Sequence, residues 1–306
     1  MTKSDLLSKN GSTVRKLAQL FSSYEIGARI STVSEFEKVI NVSRGTIQNS
    51  LNFLQENNAI RIESRGTLGS FLKEKDLKLL LDYAGISYLI GAMPLPYSLR
   101  YEGLATGIKL SMNNDMGLEI MMSYMNGAKN RIQMILNNRY DFAIISKFAA
   151  KKAIENGTAI RILKEFGTQS YVSNHAIVYS SKYVNNPNNK LKVGVDRESP
   201  DQELISLQIF ENEDVDFINL KYNQIIDKLK NGDIDVAIWN VDEVNEKFPS
   251  AAYEVVHLNN DDDTRAVIVA NIDRTELFSL INLLINEETV TDIQNKVMNN
   301  TILPIY

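Results

Sequence analysis

Two clusters of hydrogen-bonding side chains bracket the stretch NVSRGTIQNSLNFLQENNAIRIESRGTLGSFL, residues 41–72. Ser43, Arg44, Thr46, Gln48 and Asn49 stand near its start, and Arg65, Gly66 and Thr67 near its end. These residue types read nucleic acid. Arginine bonds guanine through two parallel N–H groups, Gln or Asn does the same to adenine, and hydroxyls and backbone N–H groups hold phosphate. The catalytic inventory elsewhere is thin. Cysteine is absent and histidine occurs twice, as His175 in VSNHAIVYS and His257 in YEVVHLNN, both within strand-like patterns. No nucleophile elbow, phosphate-binding glycine loop or metal-ligand spacing occurs. The run NNDDDTR holds three consecutive Asp whose side chains diverge, without the alternate oxygens of a calcium loop, and reads as a solvated loop. The expectation is a protein that is not an enzyme and holds no metal and no cofactor.

The first cluster needs a helix to present it. Val14, Leu17, Ala18 and Phe21 recur with the spacing of one buried helical face. STVSEFEKVI carries Val33, Phe36, Val39 and Ile40 on a similar stripe, with Ser31 or Thr32 as N-cap. Asn41 suits the left-handed residue that ends this helix, and Val42 packs beneath the turn. Ser43 then caps a third helix whose buried line is Ile47, Leu51 and Leu54, leaving Arg44, Thr46, Gln48 and Asn49 outward. Two helices joined by a short turn, with polar side chains opening the second, form a helix-turn-helix. Such a helix enters the major groove by its N-terminal end. After Asn58 the period falls to two: Ile60 and Ile62 point inward, Arg61 and Glu63 outward. SRGTLG is a turn and SFL a second strand, giving a β-hairpin wing with Arg65 at its tip. The alternative is a helix-plus-hairpin interaction module without nucleic acid, which leaves polar, Arg-bearing tips at both places without a reason.

This stretch resembles the winged helix of the GntR family of bacterial transcription regulators, in register over VSRGTIQNSLNFLQENNAIRIESRGTLGSFL. The resemblance implies DNA contacts from Ser43, Arg44, Thr46, Gln48, Arg65, Gly66 and Thr67. Two positions depart from the family pattern. Its leucine-proline entry to the second helix reads Ile30-Ser31, and the arginine often found early in that helix is Ser34.

A chain of 306 residues exceeds one ordinary domain. No apolar run approaches the roughly 20 residues of a membrane span, and the polar start MTKSDLLSKNGS does not read as a signal peptide. Absent cysteine removes disulfides as well. The expectation is a soluble cytoplasmic protein with no membrane partner. Net charge is −5 but uneven. Residues 1–72 hold nine Lys and Arg against six Asp and Glu, so the remaining residues carry an acidic excess of eight. A mildly basic end on an acidic body is compatible with phosphate contact at that end alone.

Beyond residue 72, KEKDLKLLLDYAG reads as a linker helix over 73–85 that ends at Gly85. Strands and helices then alternate: ISYLIGAMPLP, YSLRYEGLATGIKLSM, GLEIMMSYM, AKNRIQMILNNR and YDFAIIS. Near-continuous apolar strands between helices argue for parallel sheets covered on both faces. An internal repeat follows. RIQMILNNRYDFAIIS aligns with IIDKLKNGDIDVAIWN, setting Ile132 on Ile226, Ile135 on Leu229, Asp141 on Asp235, Ala143 on Ala237 and Ile144 on Ile238. Each copy follows its own strand-helix-strand, residues 86–124 and KVGVDRESPDQELISLQIFENEDVDFINL. The fold class is therefore α/β: an N-terminal winged helix-turn-helix (1–72) followed by a two-lobed, doubly wound effector-binding domain (86–306). Lobe I spans about 86–172 plus 263–306 and lobe II about 173–262, with DDDTRAVIVANIDRTELFSLINLLI returning the chain to lobe I.

Ligands of such folds bind at the carboxyl ends of the strands. Two helix starts face that cleft in the sequence. GAMPLPYSLRYEGLATGI runs through Pro96, Tyr97 and Ser98 into a helix with Arg100 and Tyr101 in its first turn. VGVDRESPDQEL offers Asp196, Ser199 as N-cap, Pro200 at the first helical position and Asp201 inside. Free N–H groups at both starts suit an anionic or zwitterionic metabolite, with ordinary capping as the alternative. Ser146 and Asn240 end the repeat's strands. Trp239, the only tryptophan, either stacks on a ligand or fills the lobe edge. At the level of topology, residues 86–306 resemble the type 2 periplasmic binding-protein fold, which also serves bacterial regulators as an effector domain. The segment GAMPLPYSLRYEGLATGI resembles YhfZ-type regulators, a small GntR-like group with such a C-terminal domain. Together the resemblances imply a homodimer that binds a double-stranded DNA operator and a small-molecule effector. An enzyme or plain metabolite-binding protein built on the same fold is the alternative.

Overall fold

The computed structural model describes residues 9–111, 118–185 and 190–306. Most of the polar start MTKSDLLSKNGS, and the outer ends of the helix and strand expected around residues 112–117, lie outside them. No helix among the described residues is long and apolar enough to cross a membrane.

The chain divides into two compact units, the first running to Leu89 and taking in Asp273–Leu284 as well. It holds α1 (Lys9–Ser23), α2 (Val33–Ile40), α3 (Arg44–Glu56), β1 (Ile60–Ser64), β2 (Ser70–Lys75) and α4 (Leu77–Ala84). Leu17, Ala18 and Phe21 of α1, Phe36 and Ile40 of α2, and Ile47, Leu51 and Leu54 of α3 meet in one core. Burying side chains of this size stabilises by about 1.5–3 kcal/mol each. Of the α2 stripe, Val39 is exposed instead, since it lies about 100° round the helix from Ile40, outside the line of Phe36 and Ile40. Thr32, not Ser31, caps α2, in a reciprocal capping box with Glu35. Asn41 takes the left-handed conformation, φ 61°, that ends it. β1 and β2 pair antiparallel, and Arg29 adds a one-residue bridge to Phe71. The second strand continues past SFL to Lys75. Leu80 and Ala84 of α4 belong to the same core.

The helix α12 (Thr275–Leu284) also lies in this unit. It packs on α1, where Gln19 Nε2 donates to Glu276 Oε1 at 2.8 Å and Ser279 Oγ to the Ser23 carbonyl at 3.3 Å. Its Leu277, Leu280 and Ile281 are fully buried.

The second unit holds two five-stranded sheets. In lobe I, β3 (Tyr88–Met93), α5 (Leu99–Leu110), β4 (Glu119–Tyr124), α6 (Ala128–Leu136), β5 (Phe142–Ser146), α7 (Lys147–Glu155) and β6 (Ile160–Glu165) follow in order. In lobe II come β7 (His175–Tyr179), α8 (Ser181–Asn185), β8 (Leu191–Val195), α9 (Pro200–Ile209), β9 (Val215–Asn219), α10 (Tyr222–Asn231), β10 (Val236–Asn240), α11 (Val241–Lys247) and β11 (Ala252–Val255). β12 (Ala266–Asn271) then returns to lobe I, and α13 (Glu287–Met298) ends the helices. The strand orders are β4-β3-β5-β12-β6 and, read from the opposite edge, β9-β8-β10-β7-β11. These are the same order.

The sheets are mixed rather than parallel throughout. β3 and β5, and β8 with β9 and β10, run parallel, while β12 and β7 enter antiparallel to their neighbours. Each antiparallel strand comes from the far side of a crossing between lobes, which a period-two reading of single strands does not reveal. The repeat itself is structural. Asp141 Oδ2 accepts from Ile90 N and Asp235 Oδ2 from Lys192 N, both at 2.8 Å, tying the last parallel strand of each lobe to its first. α13 lies close on α5 because two glycines admit it: a Cβ on Gly103 would stand 2.9 Å from the Gln294 carbonyl oxygen, and one on Gly107 2.7 Å from that of Val290.

Candidate functional site

At the N-terminal end, Ser43 Oγ accepts from Thr46 N and shares a 2.9 Å hydrogen bond with Thr46 Oγ1, fixing the first turn of α3. Arg44 on that turn and Gln48 and Asn49 on the next are exposed, and Thr46 is partly so. No acidic residue stands in the first turn. The helix start therefore presents a cation, two amides and the positive end of the helix dipole on one surface. At the wing, Gly66–Leu68 form a 3-10 turn, Gly66 with φ +59°. Arg65, Gly66 and Thr67 are exposed there. The Arg65 guanidinium is held along the hairpin by Glu63 at 2.9 Å and by the Phe71 ring at 4.7 Å.

In the second unit a cavity of about 50 Å³ lies between the lobes. Tyr97, Tyr101, Ser199, Asp201, Trp239 and Asn240 line it, as expected from the sequence. Arg131, Tyr171, His175, Gln202 and Tyr222 line it too. The sequence reading missed these five, and Arg131 had a usable signal. The repeat sets it on Ile225, which is fully buried, so a charge stands where the pattern demands an apolar side chain. Arg131 is 2% exposed. It donates to the carbonyls of Ile144 and Met125 at 3.1 and 2.6 Å and to Tyr171 Oη at 3.1 Å.

The other expected residues close the cleft rather than line the cavity. Ser146 Oγ caps α7 and donates to Asp201 Oδ1 at 2.6 Å, lobe to lobe. Ser98 caps α5 with its own hydroxyl. Arg100 grips Asp242 through Nε and Nη2 at 2.9 and 3.1 Å, and the Leu99 N–H bonds the Glu246 carboxylate. Two carboxylates of α11 thus already occupy the anion-attracting start of α5. Asp196 shapes its own turn, accepting from Glu198 N and Tyr222 N. Pro96 lies in the turn before α5 and is not among the lining residues.

Two histidine and aspartate readings change. His175, a strand residue as expected, is buried and its Nδ1 lies 2.7 Å from Asp263 Oδ2, joining the lobes. His257 is exposed and stands beyond the end of β11 rather than within a strand. The NNDDDTR loop is not solvated throughout. Asp262 and Asp263 are each 5% exposed. Asp262 pairs with Lys151 at 2.5 Å and Lys147 at 3.4 Å, because the loop folds over the start of α7. Only Asp261 meets the expectation, half-exposed and paired with Arg265, which holds its pKa down at about 2.

Burial shapes the cavity's protonation. It pushes the Asp201 carboxyl up from the ordinary value, against the opposing pull of His175 and the Ser146 hydroxyl. Burial alone would lower His175, but the bond to Asp263 and the negative charges of Asp201 and Asp242 outweigh it, and the imidazole is raised. Tyr101 and Tyr222 are driven well above the phenol range by burial and stay neutral. Tyr222 stacks between Tyr97, at 5.7 Å, and Trp239, at 4.0 Å. Trp239 packs into the core of lobe II and also lines the cavity.

Residues 76–306 match the model of the YhfZ C-terminal domain. The chain belongs to the YhfZ family. Residues 25–72 match the model of a helix-turn-helix domain. The uncharacterized protein YhfZ of Escherichia coli (strain K12) is 31% identical over 305 residues, covering 98% of each chain. The crystal structure of YhfZ from Shigella flexneri has a TM-score of 0.62 to this chain at 28% identity, over 75% of this chain and 97% of that one. A periplasmic substrate-binding protein of an ABC transporter from Coxiella burnetii gives a TM-score of 0.47 at 14% identity, over 71% of this chain and all of that one. The YhfZ-family chain thus joins a helix-turn-helix domain of the kind that binds DNA to an α/β body of two like lobes.

Proposed function

We propose that the chain is a GntR-like transcription regulator acting in the cytoplasm as a homodimer, its operator affinity set by a small molecule held between the two lobes. The observation that carries the reading is the start of α3, where Ser43 fixes the first turn and Arg44, Gln48 and Asn49 stand exposed with no acidic neighbour in that turn. The wing supports it with Arg65, Gly66 and Thr67 at an exposed tip. One winged helix reads few bases, so two copies on half-sites about one helical turn apart are the expected arrangement. The closed lobes support the sensing role. Side-chain links from lobe to lobe, Arg100–Asp242, Ser146–Asp201, His175–Asp263 and Lys129–Glu203 among them, would part and reform as the cleft opens and shuts. An effector switches the protein by binding those two arrangements with different affinity. We read the body as a sensor and not a catalyst, since Asp201 and His175 are each committed to a protein partner.

Selection of genomic fragments on the purified chain, followed by footprinting, tests the reading. A symmetric protected site is expected, and Arg44→Ala should weaken its binding by about 1–3 kcal/mol and relax specificity at one base. Binding without sequence preference at moderate salt would refute it.

A further inference from the structure

Two buried donors at the end of β10 have no partner among the described residues: Trp239 Nε1 and Asn240 Nδ2. Their side chains belong to residues 2% and 3% exposed, and both residues line the interlobe cavity. A buried donor left unmet is unfavourable, so such groups mark where an absent acceptor belongs. The amide oxygen of Asn240 is already spent on Asp242 N at 2.8 Å, which leaves its NH₂ as the available half. Facing them is the first turn of α9. Its N-cap Ser199 makes no side-chain cap bond and, after Pro200, which has no N–H, the N–H groups of Asp201 and Gln202 have no intrahelical partner. These backbone groups donate as well.

The ionisable lining agrees. Arg131 and His175 are the bases and Asp201 is the acid. Asp201 already accepts the Ser146 hydroxyl at 2.6 Å, so it is a poor counter-ion for an ammonium group. A second acceptor, Asp263, is taken by His175. The cavity's size sets the remaining limit. At about 10–15 Å³ per water centre, 50 Å³ has room for about four.

We propose that the cavity takes a short-chain monocarboxylate of about four to six non-hydrogen atoms that carries no ammonium group, its carboxylate oxygens accepting from Trp239 Nε1 and Asn240 Nδ2. This rests on the reading of the cleft as the effector site. The carboxylate supplies the missing acceptors, and the Arg131 guanidinium supplies the charge that offsets its own. A zwitterionic amino acid of the same size would bury an ammonium beside Arg131 with no free carboxylate to meet it.

The only tryptophan of the chain is Trp239, so its fluorescence reports on this cavity alone. Full-length protein is titrated with sodium propionate, L-lactate, L-alanine, glycine, inorganic phosphate and citrate. Saturable change with propionate and lactate, and affinity at least tenfold weaker for alanine, is expected; lactate and alanine differ only by hydroxyl against ammonium. Trp239→Phe keeps the ring and removes the donor, and should weaken lactate binding about tenfold in calorimetry, the loss of one hydrogen bond to a charged group. Asn240→Asp should abolish it. Should Asn240→Asp fail to fold, Trp239→Phe decides. Alanine binding as tightly as lactate, a response to phosphate or citrate instead, or unchanged affinity in Trp239→Phe overturns the ligand class and leaves the sensor reading standing. Silence to every probe, in fluorescence and in melting temperature, with operator binding intact, removes the class and counts against the sensor reading too.

Discussion

Arg100 and Asp242 share two hydrogen bonds, of 2.9 and 3.1 Å, between the first turn of α5 in lobe I and that of α11 in lobe II. Their side chains are 11% and 16% exposed. Truncating either leaves the other's charge in a poorly solvated seam, so Arg100→Ala or Asp242→Ala should each destabilise the unit by about 2 kcal/mol. The double variant should lose less than the two single losses together. Urea unfolding of the four proteins measures the coupling, and strict additivity would show that the pair does not hold the lobes.

The His175–Asp263 link gives a pH dependence of definite sign. A histidine whose folded pKa is raised contributes stability that is fully present below the unfolded value and fades as pH climbs through the folded one. Asp201 is raised as well and acts in the same direction, and Arg131 and Asp242 complete the charged surroundings. The melting temperature should fall as pH rises above about 6.5, the ordinary histidine value. His175→Gln should flatten that descent, and an unchanged slope would locate the titrating group elsewhere.

Gly107→Ala tests the close approach of α13. The new methyl would meet the Val290 carbonyl oxygen at 2.7 Å, and backbone cannot swing aside as a side chain does. Overpacking of this kind costs about 1–3 kcal/mol. Thermal melting should register it, and a stabilised variant, as helix propensity alone would give, would contradict the tight packing.

At the wing, Glu63 holds the guanidinium that faces duplex DNA in the proposed complex. Glu63→Gln should raise affinity for operator and random duplex alike, because it removes an anion beside the phosphates and frees Arg65. The slope of log affinity against log salt should steepen by about one. No change in slope would mean that Arg65 stays on the hairpin in the complex.

Helices α2 and α3 were legible because each carried a local signature, a left-handed Asn41 and Ser43 before an apolar line, whereas the second wing strand runs three residues past SFL and α4 starts only at Leu77. The repeat was legible for the same reason, and Asp141 and Asp235 do identical work in the two lobes. What stayed hidden depends on partners distant in sequence. Nothing near Arg100 announces Asp242, and nothing near Asp262 announces Lys151. The start of α5 reads in the sequence as a place for an external anion, and in the fold Arg100 there is met by Asp242 of the protein's own α11. Arg131 was hidden differently, since an amphipathic reading counts the apolar matches and passes over the one charge among them.

Helix α12 carries a consequence for synthesis. It packs on a face of α1, yet almost the whole body separates the two along the chain. A ribosome adding about 5–20 residues per second therefore exposes that face of α1 until the second lobe has emerged. The helix-turn-helix end, though made first, gains this neighbour only once both lobes have been translated, so a truncated nascent chain leaves the first unit unfinished.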